Sequence, residues 1–337
     1  MQRHQVAVIG AGPIGIELAV ALKQAGVDYV HLEAGQIGTT IEWYPLQMLF
    51  HSRADRLAIA GVPIQVPDQQ KPNREEYLAY LRAIVEMYGL DIRTFERVEQ
   101  ARRVGGGFEL RTRTVDGEHS YEVGNIVLAI GAMHHPRVLG IPGEEQPNVS
   151  HYFREPHTYF GRRLLIVGGR NSAVEAAVRC QRAGANVTIS YRGADFDADK
   201  VKWWLLPEIR GMVRDGRVVF MPNTNVTEIR GTKVMTDGGE IDADFVLVLT
   251  GYRQDTTLFE MLGVSTRGEA CEPVYDEATM ETNVPGVFIA GTAVAGTPPR
   301  KVSVIVETCH VHVPRIVKAL TGRTPAVPVV PATFDDE

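Results

Sequence analysis

The sequence is short of cysteine and of long apolar runs. Its 337 residues include three cysteines, Cys180, Cys271 and Cys309, an odd number at wide spacing. They make neither a disulfide framework nor a zinc site and fit a reducing, cytoplasmic setting. The longest apolar runs, such as Phe245–Thr250, are strand-sized, far below the ~20 residues of a membrane helix, so no membrane span is expected. The early run Val6–Ile9 has no basic leader and no cleavage-type ending, so no signal peptide is expected either. Neither charge dominates: 35 basic against 41 acidic residues leave a net charge of −6, which gives no electrostatic footprint for nucleic acid or an anionic membrane. The histidine pairs His134-His135 and His310/His312 lack an acid cluster suited to a metal, and no Ser-His-Asp arrangement is evident.

Glycine is plentiful, with 33 residues, and its placement carries the first inference. Strand-like Gln5–Ile9 runs into Gly10-x-Gly12-x-x-Gly15, then an apolar helix ending at Gly26, then a second strand, Asp28–Glu33. The first glycine allows a tight turn, the second lets backbone approach a pyrophosphate, and the third allows close helix–strand packing. Helix N–H groups then face the phosphates. Glu33 ends the second strand where a carboxylate accepts ribose hydroxyls, which suits an unphosphorylated adenosine ribose, as in NAD or FAD.

The same order recurs about 158 positions later. Arg163–Val167, "GGRNSA", a helix ending near Gly184 and the strand Asn186–Tyr191 form a second βαβ unit. Each unit is followed by antiparallel material. In the first this is Phe108–Val115 and Ser120–Val123 around Asp116-Gly117, closing on "NIVLAIG". In the second it is Val218–Phe220, Val226–Ile229 and Lys233–Thr236, a turn at Asp237-Gly238, and "DFVLVLTG". The expected fold is α/β: two Rossmann-like three-layer domains, an FAD domain and an NAD(P)H domain, each with an antiparallel β-meander. Residues 1–155 and 252–323 make the FAD domain, 156–251 the nucleotide domain and 324–337 a frayed tail. Asn73–Tyr88 reads as an amphipathic helix, capped by Asn73 with Glu76, burying Tyr77, Leu81, Ile84 and Tyr88, and stopped at Gly89.

The second turn departs from the fingerprint. Gly168 and Gly169 are followed by Arg170 where the second glycine belongs, then Asn171, Ser172 and Ala173. Either the guanidinium swings out or clasps the phosphates and binding survives, or the nucleotide is excluded. Arg192 lies just past the next strand, where flavoproteins with two such units place an arginine for the 2′-phosphate of NADPH, and that resemblance favours retained binding. Trp203-Trp204, beside Lys200 and Lys202, reads as a packing patch before a base-stacking platform.

Chains with two such units commonly hold FAD in the first and NAD(P)H in the second. "TNVPGVFIAGT", with Gly291 and Thr292, resembles the second FAD motif of two-dinucleotide flavoproteins. "LAIGAMHHP", with Gly131, and "LTGY", with Gly251, resemble their crossover motifs. Together they cover nearly the whole chain and resemble the thioredoxin-reductase-like flavoproteins. Within these, "TIEWYPLQMLFHSRADRLAIAGVP", "KPNREEYLAYLRAIVEMYGLDI", "VSHYFREPHTYFGRRLLIVGG" and "KVKWWLLPEI" are similar to the bacillithiol-disulfide reductase family.

The resemblance implies FAD and NADPH as cofactors, and hydride passing from NADPH through flavin to a small-molecule or small-protein acceptor, a low-molecular-weight disulfide foremost. It also implies a homo-oligomer, with Tyr44, Pro45 and His51 around the flavin ring. The family's cysteine in the first glycine motif is Ile14 here, so no mixed disulfide forms at that place. Cys309, in "IVETCHVH", is the candidate substitute if it opens a helix beside His310; the alternative is a packed side chain. An FAD-binding scaffold or redox sensor with a disabled nicotinamide site, and a flavin monooxygenase, are the competing readings.

Overall fold

The structure, a computed structural model, describes residues 1–67, 71–297 and 304–325. Residues 326–337, most of the expected tail, lie outside the described residues. The chain divides into two units: 1–42, 47–135 and the described residues from 253 onward form unit 1, while 43–46 and 136–252 form unit 2. The first boundary therefore falls near 135 rather than 155. Val149–Ser150 pairs in parallel with Phe245–Val248, and Gln146 bonds the backbone at Ile229 and Gly231. These bonds fasten 136–155 to unit 2.

In unit 1 the sheet order is Ile92–Arg93, Tyr29–Leu32, Gln2–Ile9, Gly117–Leu128, Gly107–Thr114, Arg97–Val104, with Val287–Ile289 also pairing on Gly117–Leu128. The hairpin strand and "NIVLAIG" were expected as separate pieces. They are one strand, antiparallel to Gly107–Thr114 through Phe108↔Val123 and parallel to the first strand through Ile9↔Leu128. Arg97–Val104 was not anticipated: it is a sheet edge whose only buried residue is Ala101, so it lacks apolar alternation. Helix Pro13–Gln24 buries Leu18 and Leu22 in one core with Ile126, Leu128 and Ile289, joined by Val313, Ile316 and Val317 of the late helix His312–Thr321.

Helix Arg74–Tyr88 has its predicted capping box and a left-handed stop at Gly89. Its buried face is Tyr77, Tyr80, Leu81 and Ile84, with Tyr88 left half-exposed. The Tyr80 hydroxyl, which accepts from Ile59 N–H (2.7 Å) and donates to Val62 C=O (2.6 Å), is the reason for the shift.

Unit 2 has a parallel sheet in the order Val218–Met221, Asn186–Ser190, Arg163–Val167, Phe245–Val248, Val149–Ser150. Val218–Met221 was expected in the antiparallel part. It pairs in parallel with Asn186–Ser190 because helix Leu205–Arg214 is the crossover between them. The meander is Val226–Arg230, Lys233–Thr236 and Gly239–Asp242, turning at Asp237-Gly238. The connecting segments His135–Pro136 and Tyr252–Arg253 pair as a two-stranded ladder. Among the described residues no helix is long and apolar enough to cross a membrane.

Candidate functional site

Unit 1 brings Gly10, Gly12, Gly15, Glu33, Gly131, Gly291 and Thr292 to the ends of its parallel strands. Gly10 has φ +105°, and a Cβ there would lie 2.5 Å from the Ala129 carbonyl oxygen. At Gly15 a Cβ would lie 2.0 Å from the Gly10 carbonyl oxygen, so this position packs helix directly on strand. Gly12 differs. A Cβ there meets no protein atom within 4 Å, so packing does not demand glycine, and the open turn fits a pyrophosphate.

Glu33 braces the turn: its carboxylate accepts from Ala11 N–H (2.7 Å) and Gly35 N–H (2.8 Å). A carboxylate has about four acceptor directions, which leaves capacity for ribose hydroxyls. Thr292 Oγ1 lies 3.7 Å from where a Gly131 Cβ would stand, and Ile14 packs against Gly291.

Three residues that the motifs do not mark hold this region. His31 Nε2–H donates to the Gly10 carbonyl (2.9 Å), and burial, only partly offset by that bond, pushes its pKa down to about 4. His312 Nδ1 accepts from Gly291 N–H (3.1 Å); burial, with the charges of Arg315 and His310, lowers it to about 4. Buried Gln254 donates its amide to the carbonyls of Gly131 (3.2 Å) and Ala293 (3.0 Å), tying two motifs together. His134, in a crossover segment, accepts from Asp255 N–H (3.0 Å). Among the described residues no cluster could hold a metal.

His310 is part of a buried pair. Its Nδ1–H donates to Glu17 (2.8 Å) and its Nε2–H to the Arg56 carbonyl (3.1 Å). An acceptor at each nitrogen favours the doubly protonated ring. Burial lowers its pKa, but the Glu17 bond and charge, with the Arg56 carbonyl and the Glu307 charge, outweigh that and raise it. Glu17→Gln removes the counter-charge of a buried imidazolium and is expected to cost about 3 kcal/mol in urea unfolding at pH 6. The folded pKa lies above 6.5, so this stabilisation is full below about pH 6.5 and is lost as pH rises through the folded value. The gap between wild type and variant should therefore narrow at alkaline pH; a gap independent of pH would contradict the charged pair.

Cys309 does not open a helix. It ends the short helix Val306–Cys309, fully buried in the core of unit 1. Burial, outweighing a bond with Thr308, pushes its thiol to about 12, the surroundings of an inert cysteine. Cys309 is therefore not the low-pKa substitute thiol expected from its neighbour His310. Cys180 is likewise buried and raised to about 12. Tyr44 goes with 43–46 to unit 2 and His51 to unit 1.

In unit 2 the second turn copies the first. Gly168 has φ +140°, and a Cβ there would lie 2.4 Å from the Leu249 carbonyl oxygen. At Gly169 a Cβ would lie 2.6 Å from the Tyr191 ring, so this glycine serves a tyrosine. Arg170 caps helix Asn171–Arg182 with φ −106° and ψ −172°, and Gly12 caps its helix with φ −76° and ψ 179°. Both are extended conformations open to any residue, so Arg170 strains nothing, and its side chain is exposed. Arg192 and Ser172 are exposed, whereas Asn171 Oδ1 is engaged by Lys202 N–H (2.8 Å). Gly251 accepts from Arg137 N–H (2.9 Å).

Known proteins agree with this geometry. Residues 7–291 match the family described as pyridine nucleotide-disulphide oxidoreductase. Bacilliredoxin reductase Bdr of Bacillus subtilis (strain 168) is 34% identical over 302 residues, covering 88% of this chain and 91% of that protein. A ferredoxin–NADP reductase of Ignicoccus hospitalis is 31% identical over 296 residues, covering 84% and 88%. The solved structure of bacillithiol disulfide reductase Bdr from Bacillus cereus matches with a TM-score of 0.90 at 34% identity, over 95% of this chain and 99% of that one. With two glycine turns of matching geometry and these relatives, the chain belongs to the pyridine nucleotide-disulphide oxidoreductase family, close to the Bdr reductases.

Proposed function

We propose that this protein is an FAD-dependent NADPH oxidoreductase whose acceptor is a low-molecular-weight disulfide. The observation that carries it is the pair of equivalent turns: Gly12 keeps its space open, and Arg170 holds the same unstrained backbone in the second unit. The names of the relatives, a bacilliredoxin reductase, a bacillithiol disulfide reductase and a ferredoxin–NADP reductase, support the reductase reaction, and the second of them supports the acceptor class. When bound, the flavin supplies the redox chemistry. The chain's own part is binding and orientation. The Gly10–Gly15 turn and the helix N-terminus behind it receive the FAD pyrophosphate. Glu33 holds the turn and offers acceptors to ribose, and Gly131, Gly291 and Thr292 form the wall near the isoalloxazine. Arg170, Ser172 and Arg192 meet the phosphates of NADPH, and Tyr44 and His51 are assigned to the flavin ring by the resemblance. Cys180 and Cys309, with thiols near 12, stay protonated at neutral pH and attack no disulfide. A cytoplasmic homo-oligomer completes the reading, on the resemblance and three unpaired cysteines.

The test is anaerobic bleaching of the flavin band. NADPH should bleach wild type in preference to NADH, Arg170→Gly should behave within about threefold of wild type, and Arg192→Ala should raise the KM for NADPH about tenfold, the worth of one charge-assisted phosphate contact. A flavin that stays oxidised with both nucleotides in wild type but bleaches in Arg170→Gly would mean the site is closed, and the scaffold or sensor reading would replace this one.

A further inference from the structure

The tryptophan pair on the segment before helix Leu205–Arg214 is divided by the fold. Trp204 is half-buried against the core of unit 2. Trp203 stands 79% exposed, edge-on to Trp204 with ring centroids 5.6 Å apart. The packing reading therefore holds for Trp204 and leaves Trp203 without an explanation: an indole in water is an unused apolar surface.

Its position supplies one. Asn171 is the first residue of the helix behind the second glycine turn, and its Oδ1 accepts from Lys202 N–H at 2.8 Å. That bond pins the residue preceding Trp203 to the phosphate turn. The same segment starts at the end of strand Asn186–Ser190, where Arg192 is exposed. In this class of fold the pyrophosphate lies at the helix N-terminus and the adenosine ribose beyond the second strand. Trp203 thus belongs to the loop that borders the adenosine.

The charges around it suit the same ligand. Asp195 is engaged by Arg210, and Asp197 by Lys200. The Lys200 hydrogen bond, a backbone N–H from Asp199 and the charges of Lys200 and Arg170 hold the Asp197 carboxyl below its ordinary range. Lys202 places its Nζ 5.9 Å from the Trp204 ring centroid. Arg170 and Arg192 are exposed, Lys202 lies beside Trp204, and Trp203 adds an exposed aromatic plane on the same segment; a phosphorylated purine nucleoside suits both cations and ring.

We propose that Trp203 is the platform on which the adenine of the nicotinamide dinucleotide stacks, presented by the Asn171–Lys202 bond. The proposal rests on the second turn being the NADPH site. It makes Trp203 a positioning residue for the nucleotide: it reads the base, while Arg192 reads the phosphate.

The experiment uses FAD-loaded protein and two partial ligands. Adenosine 2′,5′-bisphosphate carries the adenine without the nicotinamide, and reduced nicotinamide mononucleotide carries the nicotinamide without the adenine. Affinities are measured by calorimetry and tryptophan fluorescence for wild type, Trp203→Phe and Trp203→Ala. Wild type should bind the bisphosphate with quenching. Trp203→Ala should lose at least tenfold in that affinity and gain as much in KM for NADPH with kcat unchanged, while Trp203→Phe stays within threefold. Rates with the reduced mononucleotide should be the same in all three proteins. Unchanged affinity in Trp203→Ala, or an altered oligomeric state with unchanged affinity, overturns the platform and leaves the NADPH reading intact. Wild type that binds neither the bisphosphate nor NADPH overturns that reading and the platform with it.

Discussion

Gly12→Val is expected to leave the folded chain about as stable as wild type and to strip it of FAD, whereas Gly15→Val is expected to destabilise unit 1. The two glycines stand three residues apart in one motif, and the physical reasons for them are opposite. A Cβ at Gly12 touches nothing within 4 Å, so the branch point of a side chain there meets open space rather than protein. A Cβ at Gly15 would lie 2.0 Å from the Gly10 carbonyl oxygen, which only a shift of helix against strand relieves. Overpacking of this kind costs about 3 kcal/mol, a large share of the roughly 5–15 kcal/mol that holds a domain folded. Thermal melting of flavin-free protein separates the cases. Gly12→Val should melt within about 2 °C of wild type and carry less than a tenth of its flavin, and Gly15→Val should melt at least about 8 °C lower. Equal melting losses in both variants would show that the turn is shaped by packing alone.

Acid should weaken the protein through two histidines that carry no part of the chemistry. His31 and His312 are each lowered to about 4 by burial, while in the unfolded chain they titrate near 6.5. Below pH 6.5 the unfolded state binds protons that the folded state refuses. Stability is therefore full above that pH, falls as pH drops and levels off below the folded value near 4. At about 1.4 kcal/mol per unit, each histidine removes about 3 kcal/mol across that window. His310, with its raised pKa, acts at the alkaline side and adds no slope below 6.5. Urea midpoints between pH 7 and pH 4 measure the effect. The double variant His31→Asn with His312→Asn keeps a polar atom near each backbone partner and removes both titrations. Its stability should fall less steeply than that of wild type, by about 6 kcal/mol over the window; parallel profiles would refute the assignment.

Legibility followed sequence distance. Gly10, Gly12, Gly15 and Glu33 sit within one βαβ unit, and their spacing alone specifies the turn. The capping box of Asn73 and Glu76 is just as local. The Glu17–His310 pair joins residues 293 apart, and no pattern in either stretch announces it. Gln254 and His312 are similarly silent, because their partners are backbone atoms of distant motifs. The transfer of 43–46 to unit 2 depends on backbone bonding of Leu46 with Arg154 and Arg179. Cys309 shows the converse error. Its neighbour His310 suggested a reactive thiol, but the imidazole is turned to Glu17 and Arg56, and the thiol lies in the core.

The ladder between His135–Pro136 and Tyr252–Arg253 bears on how this chain can be divided. His134 N–H bonds the Arg253 carbonyl at 3.1 Å, and Arg137 N–H bonds the Gly251 carbonyl at 2.9 Å. The exit from unit 1 and the return to it are therefore neighbours, and so are the two ends of the long segment of unit 2. Such adjacency is the signature of an insertable module: a donor domain whose own ends meet could be spliced between His134 and Arg253, and the excised segment could be closed into a ring by a few residues. The short strap 43–46 is the exception, the one piece of unit 2 that a cassette exchange at those two joints would leave behind.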